Sequence, residues 1–151
     1  MIPVIASTHL PAMTGEAIQK ARELESILRD VPQIPVRTHH VIHGGMYART
    51  IRIPAGAVLT GALIKIPTML IISGHATAYI GGETIELCGY QAIPGSAGRK
   101  QVFVAHADTD MTMLFPTSAM SVEQAESEFT DETHLLFSRH SENDTITITG
   151  E

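Results

Sequence analysis

The chain is poor in aromatic residues, charged residues and cysteine. Of its 151 residues 5% are aromatic and 17% charged, and there is no tryptophan. The single Cys88 cannot form an internal disulfide, so it suits a reducing compartment and reads as a small buried apolar residue. The longest apolar run, around Met69 to Ile72, is too short for a membrane span, and the N-terminus does not resemble a secretory signal. We therefore expect a soluble cytoplasmic protein.

The charges are unevenly distributed along the chain. Residues 120–151 carry eight acids against one base, Arg139, for a net charge of −7, whereas residues 1–119 carry nine bases and eight acids, for +1. Six of the ten bases lie between positions 37 and 100. The acidic end disfavours binding to duplex nucleic acid. The basic middle is compatible with a small anionic ligand.

Local patterns predict one helix near each end of the chain. Thr14 is a suitable N-cap for an amphipathic helix over 15–30, and Ser121 for a short helix over 121–129. A hydrophobic share of 44% suits one globular domain. We divide it into an N-terminal arm and helix (1–35), a β-barrel (36–118), and an acidic C-terminal helix and tail (119–151).

Between the two helices the sequence reads as short strands separated by glycine and proline turns, which is typical of a barrel or sandwich. Turns are predicted at Ser73-Gly74 and Cys88-Gly89, among others. The predicted strands are 36–43, 46–53, 57–66, 68–73, 75–80, 83–88, 90–93, 101–106 and 111–115. Residues 144–149 alternate like a strand but have no obvious partner. This tail is either disordered or paired with another subunit.

The spacing of the turns resembles that of the cupin family. The resemblance is carried by Arg52-Ile-Pro-Ala-Gly56, Gly61, Ser73-Gly74, Ile80-Gly-Gly82, Gly89 and Ile93-Pro-Gly95, and covers about half of the chain. A second set of segments resembles a family of small cupin-like proteins of tailed phages and prophages that has no assigned activity; these are Tyr47–Pro54, Gly98–Phe103, Pro116-Thr117 and Glu126–Ser138. The resemblance implies a mainly β fold, a double-stranded β-helix or jelly-roll barrel.

The chain departs from the cupin pattern where the family carries its metal ligands. Ile64-Lys65-Ile66 stands at the position of the usual His-x-His pair, and Arg99-Lys100 at that of the last histidine. Isoleucine cannot bind a metal, and the two cations would repel one. We therefore expect no metal or other cofactor at the usual position.

The histidines offer a weaker, displaced alternative. His39, His40 and His43 form the one cluster in sequence, and His75 or His106 could complete a zinc site with them. On a strand, however, His39 and His43 lie some 13 Å apart at the rise of ~3.3 Å per residue. Polar strand histidines are the simpler interpretation. The sequence contains no nucleophile elbow and no phosphate-binding glycine loop, and Asp108 and Asp110 read as turn residues.

The barrel lumen remains as a candidate binding site. Ile64 and Ile66 would make one wall apolar, and polar groups that orient an anion could come from Arg49, Lys65, Arg99, Lys100 or His106. Strand alternation turns only one member of the Arg99-Lys100 pair inward, and the other then faces solvent or a partner. The competing interpretation is that Ile64 and Ile66 fill the lumen and leave no cavity.

Three functions follow. The first is a non-catalytic, oligomeric module that binds a small anionic molecule, such as a metabolite or nucleotide signal of the host cell. The second is a structural or assembly protein of phage origin with a packed barrel. The third is a metal-dependent enzyme that uses a displaced histidine site. We expect a homo-oligomer with no membrane or duplex nucleic acid partner.

Overall fold

The computed structural model describes residues 8–139 and 144–150, which are mainly β with a helix near each end. The strands are β1 (Thr38–His43), β2 (Met46–Ile53), β3 (Val58–Thr60), β4 (Thr68–Tyr79), β5 (Thr84–Gly95), β6 (Val102–Ala105), β7 (Thr109–Pro116) and β8 (Thr145–Ile148). The α-helices are α1 (Gly15–Leu28) and α2 (Val122–Phe129), and two 3₁₀ turns follow α2 at Thr133–Leu135 and Phe137–Arg139. Within these residues no helix is long and apolar enough to cross a membrane.

The strands form one curled sheet that branches at β4. Its order is β3-β6-β4-β7-β2-β1-β8, and β5 pairs with the other edge of β4. The first half of β4 pairs with β7, and its second half, from Ala76, pairs with β6. The long strand β4 therefore belongs to both the β7 branch and the β6 branch, and the sheet curls around it into a half-barrel.

Both predicted helices are present with their predicted N-caps. The Thr14 hydroxyl accepts a hydrogen bond from the Ala17 amide at 3.1 Å, and the Ser121 hydroxyl accepts one from the Gln124 amide at 3.2 Å. These bonds satisfy amides that have no partner within the first turn of a helix. The helix α1 ends at Leu28, two residues before its predicted end.

The turns predicted at Ser73-Gly74 and Cys88-Gly89 are wrong, because these glycines lie inside the long strands β4 and β5. Gly74 of β4 pairs directly with Gly89 of β5, so the two strands bend together without interrupting their pairing. A Cβ atom at Gly74, whose φ is +145°, would come within 2.7 Å of Thr109 Cα. Glycine is therefore needed here for close approach of the backbones. The predicted strand 57–66 shortens to β3, with one isolated bridge at Ile64.

The C-terminal strand β8 pairs inside the chain, which differs from both expectations for this tail. It lies parallel to β1, with His40 opposite Ile146. The His40 ring is buried between Asp144, whose Oδ2 lies 3.0 Å from Nε2, and the Tyr47 hydroxyl, which lies 2.6 Å from Nδ1. This chain of hydrogen bonds fastens the tail to the sheet.

The buried His40 makes stability depend on pH. Desolvation lowers the pKa of His40 below its usual 6.5, even though the hydrogen bond that His40 donates to Asp144 opposes that shift. Below pH 6.5 the unfolded chain therefore binds a proton that the folded chain resists, and stability is lost as the pH falls through this range. Urea unfolding at about pH 7.5 and about pH 5.5 measures the loss, which we expect to be smaller in His40→Gln. The control is His39→Gln on the exposed face of β1, and equal losses in wild type and His40→Gln would contradict the assignment.

The buried apolar residues form two clusters. One fills the curl of β3–β7 and includes Leu59, Leu70, Phe103 and Met111. The other joins α2 to β1, β2 and β7 and includes Tyr47, Phe115, Phe129 and Leu136. The space between these two clusters is the candidate site.

Candidate functional site

A partly enclosed cavity of about 130 Å³ lies between the two apolar clusters, inside the curl of the sheet. Most of its wall is apolar and comes from β2, β3, β4, β6, β7 and the C-terminal end of α2. The main apolar lining residues are Ile51, Leu59, Ile64, Leu70, Phe103, Met111, Met113 and Phe129. The lumen is therefore open in part, whereas a fully packed lumen was the competing expectation. A cavity with this kind of wall favours a compact apolar ligand.

The two sequence segments that the resemblance places at the cupin metal positions meet at this cavity. The Ile64 amide donates to the Arg99 carbonyl at 2.9 Å, which places the two residues opposite each other in an antiparallel bridge. Both side chains line the cavity. The structure thus brings these two predicted site residues to one cavity, and their role in binding stays a prediction.

Arg99 is a buried cation without an acidic partner. Its side chain donates to the Ser96 carbonyl at 2.6 Å and to the Thr68 hydroxyl at 2.5 Å, and the residue is only 3% exposed. Within the described part of the chain no carboxylate lies within ion-pair distance of it. Burial lowers the pKa of Arg99 to about 10, so the guanidinium still carries its charge at neutral pH. Gly95 gives it room, since an added Cβ there would lie 2.6 Å from the guanidinium carbon.

Gln101 is a second polar residue of the cavity wall that sequence reasoning missed. It is 4% exposed, and its Nε2 has no hydrogen-bond partner among the described residues. It follows Arg99 by two positions in an extended segment, so both side chains lie on one face and line the cavity. The separation of two residues from Arg99 is the sequence signal that could have identified Gln101 as a residue of the cavity wall. An unpaired buried amide donor is costly unless a ligand satisfies it.

Arg49 also lines the cavity, but its charge is already neutralised. Its Nη1 donates to Glu126 Oε2 at 2.7 Å, and its guanidinium lies 5.5 Å from the centre of the Phe129 ring. Glu126 is fully buried and also accepts from Arg139 at 2.7 Å and from Ser138. Burial raises the pKa of Glu126, but these hydrogen bonds and the charge of Arg49 outweigh burial, so the net pKa lies below its usual value.

The other predicted basic residues lie outside the cavity. Lys100 is fully buried rather than facing solvent, because α1 covers it and its Nζ pairs with Glu25 at 3.0 Å and Glu132 at 2.9 Å. Lys65 is exposed and pairs with Asp131 at 2.7 Å. Ile66 packs against the second apolar cluster. The acidic C-terminal segment thus supplies partners for three of the basic residues in the middle of the chain.

The histidines also lie away from the cavity. His106 is on the outer surface of the sheet beside His75 and Glu86. His40 is buried, and His43 lies 2.7 Å from the Thr149 hydroxyl through its Nδ1. His39, His40 and His43 are therefore not gathered around a common point. Cys88 is exposed, which corrects its interpretation as a buried apolar residue.

The cavity wall does not fit the metal that cupin barrels usually hold. Its described lining contains no histidine or cysteine, and its one carboxylate, Glu25, is already paired with Lys100 and Arg29. Protein sites for zinc and similar transition metals are built from imidazole, thiolate and carboxylate ligands. The buried Arg99 guanidinium would instead repel a cation. The donors of this cavity suit an anion.

Comparisons with known proteins relate the chain to cupin structures. No protein-family model matches it, and no curated protein is significantly similar. The structure of salicylate 1,2-dioxygenase from Pseudoaminobacter salicylatoxidans with gentisate matches with a TM-score of 0.50 and 13% identity, over 81% of this chain and 38% of that protein. A cupin superfamily protein from Desulfitobacterium hafniense matches with a TM-score of 0.46 and 11% identity, over 59% of this chain and 84% of that one.

A third match is the Cupin_2 domain of an XRE family transcriptional regulator from Enterobacter cloacae. Its TM-score is 0.45 and its identity 13%, over 55% of this chain and 99% of that domain. At such identities the likeness concerns the fold alone. The match with a TM-score of 0.50, together with the curled sheet and its two flanking helices, confirms the predicted fold class, a mainly β, cupin-like half-barrel.

Proposed function

We propose that this chain is a non-catalytic cupin-like module whose cavity binds a compact, largely apolar molecule carrying a carboxylate or similar anionic group. The observation that carries the proposal is Arg99, a buried cation that lines an apolar cavity and whose partners among the described residues are all neutral. Burying a charge without a counter-charge costs several kcal/mol (about 3–5 when a partner is removed from a buried pair). An anionic ligand would supply the missing counter-charge.

The charge pattern of the fold supports Arg99 as the anchor in preference to the other basic residues. Arg49, Lys65 and Lys100 each have a carboxylate within 3.0 Å, so a ligand would have to displace an internal partner to reach them. Arg99 has no such competitor among the described residues. Its planar guanidinium can bind a carboxylate through two hydrogen bonds.

The cavity wall supports an apolar body for this ligand, and an aromatic one in particular. Phe103 and Phe129 line the cavity together with the thioethers of Met111 and Met113. Sulfur and aromatic edges make favourable contacts with aromatic rings. An apolar cavity of about 150 Å³ in another protein accepts benzene, and the cavity of this chain is about 130 Å³ and partly open.

Benzoate and benzamide provide a matched pair of probes, since they share a shape and differ in charge. We expect benzoate to raise the melting temperature and benzamide to raise it much less, because only benzoate neutralises Arg99. At a concentration about 100 times its Kd, a ligand stabilises the folded state by about 2.7 kcal/mol. Differential scanning calorimetry measures both shifts. Equal shifts for the two probes, or none for either, would contradict the proposal.

Three further properties stay predictions from the sequence. They are the oligomeric state, the cytoplasmic location and the origin in a phage or prophage. The alternative role as an assembly protein likewise stays a prediction. The absence of a metal at the usual cupin position is also a prediction. The residues of the cavity wall support this prediction, because the described lining offers a buried cation, Arg99, and no histidine or cysteine.

A further inference from the structure

Two histidines and a glutamate converge on the outer surface of the sheet, on the side away from the cavity. They are His75 on β4, Glu86 on β5 and His106 just after β6. One ligating atom from each lies within 4.8 Å of the others. The His75 and His106 rings are 4.7 Å apart between centroids. Neither the cavity nor the charge pairs described above use these side chains.

Strand pairing holds the three residues in place. Thr77, two residues after His75, lies opposite Glu86 in the β4–β5 ladder, which puts His75 and Glu86 on one face. The His106 amide donates to the His75 carbonyl at 2.8 Å, which fixes the loop that carries His106. Inward-facing Ala76 and Leu87 are buried in the core. The backbone of the cluster is thus as rigid as the sheet itself.

The distances within the cluster are close to those of a metal site. His75 Nε2 lies 3.2 Å from Glu86 Oε2, and ligands at the usual 2.0–2.2 Å from a tetrahedral zinc ion are about 3.3 Å apart. The Thr77 hydroxyl donates to Glu86 Oε1 at 2.6 Å and lies 2.6 Å from His106 Nε2.

We propose that His75, Glu86 and His106 form a surface site for a divalent transition metal, with zinc as the representative ion. Two imidazoles and one carboxylate are a ligand set that zinc sites use, with a fourth position left to water. The three ligating atoms lie within 4.8 Å of one another, so the exposed His106 side chain has to move closer to reach the spacing of about 3.3 Å around a zinc ion. Thr77, buried beneath the cluster, orients Glu86 and His106 through its hydroxyl.

Titration calorimetry of the untagged, chelator-treated chain with zinc chloride tests this site. We expect one zinc ion per chain and an affinity reduced at least about tenfold in His75→Ala, His106→Ala and Glu86→Gln, each of which removes one ligand. His39→Ala, an exposed histidine on β1, is the matched control and keeps the wild-type affinity. Thermal melting of each variant verifies that it is folded.

Two results would overturn the site: no measurable zinc binding by the wild type, or binding that survives unchanged in the double variant His75→Ala/His106→Ala. The result of the zinc titration does not depend on whether the cavity binds an anion. The zinc affinity of Arg99→Met stays that of the wild type, whether or not the cavity binds an anion, because the two sites lie on opposite faces of the sheet.

Discussion

Arg99→Met weakens benzoate binding by about 30-fold or more, which is the lower end of the ~2–5 kcal/mol that follows loss of one partner from a buried charge pair. Methionine keeps an apolar side chain of similar length against the cavity wall but cannot neutralise the carboxylate. Isothermal titration of wild type and variant measures the change.

The same substitution should leave the stability of the ligand-free chain nearly unchanged. Arg99→Met removes a buried charge that has no acidic partner among the described residues, and it also removes two hydrogen bonds to Ser96 and Thr68. These effects oppose each other, so we expect the free energy of unfolding to stay within about 1 kcal/mol of the wild type. A loss of 3 kcal/mol or more (on the order of a broken buried pair) would show that Arg99 serves the fold instead of a ligand.

Lys65→Met is the matched control for this experiment. Lys65 stands beside Ile64 in the same motif, but it is exposed and paired with Asp131. Exposed pairs contribute about 0–1 kcal/mol, and Lys65 does not line the cavity. Benzoate should therefore bind Lys65→Met with wild-type affinity. An equal loss of benzoate affinity in Lys65→Met and Arg99→Met would contradict the claim that Arg99 anchors the ligand.

Glu126→Gln lowers the free energy of unfolding by about 3–5 kcal/mol, the largest stability effect that we expect for a single substitution in this chain. Glu126 is fully buried, and its two oxygens hold Arg49 and Arg139. The neutral amide leaves Arg49 as a second buried cation in the cavity wall, and its NH₂ group cannot accept a hydrogen bond. Urea unfolding followed by circular dichroism measures the loss.

Asp131→Asn is the control for Glu126→Gln, since it neutralises an acid of the same segment at an exposed pair with Lys65. We expect it to change the free energy of unfolding by less than about 1 kcal/mol. The double variant Glu126→Gln/Arg49→Met should recover part of the loss, because both charges of the buried pair are then gone. Equal losses in Glu126→Gln and Asp131→Asn would contradict the importance of burial.

Local signals in the sequence predicted the helices and most strand positions well, because they depend on neighbouring residues. Thr14 and Ser121 cap their helices through side-chain contacts three residues away. The errors at Gly74 and Gly89 have a different origin. A glycine with positive φ usually indicates a turn, but here two such glycines face each other across a ladder, and only the strand register reveals that arrangement.

The face on which each side chain of the site lies could be predicted from strand alternation. The tertiary contacts that each side chain makes could not be predicted from the sequence. Alternation correctly places Arg99 and Lys100 on opposite faces, and it also places Gln101 with Arg99. It could not show that α1 covers Lys100 with Glu25. The acidic C-terminal segment and the basic middle were visible as opposite charges in the sequence. Which acid pairs with which base became clear only from the fold, and among the described residues that pairing leaves Arg99 as the base of the cavity without an acidic partner.

The most direct test of the central claim, that Arg99 anchors an anion in the cavity, is a crystal structure of the chain with para-bromobenzoate. The bromine can be located by its anomalous scattering. We predict bromine density inside the cavity between Phe103 and Met113, with the carboxylate within hydrogen-bond distance of the Arg99 guanidinium. Bromine bound elsewhere, or a cavity filled by the protein's own side chains in crystals grown with the compound, would contradict the claim.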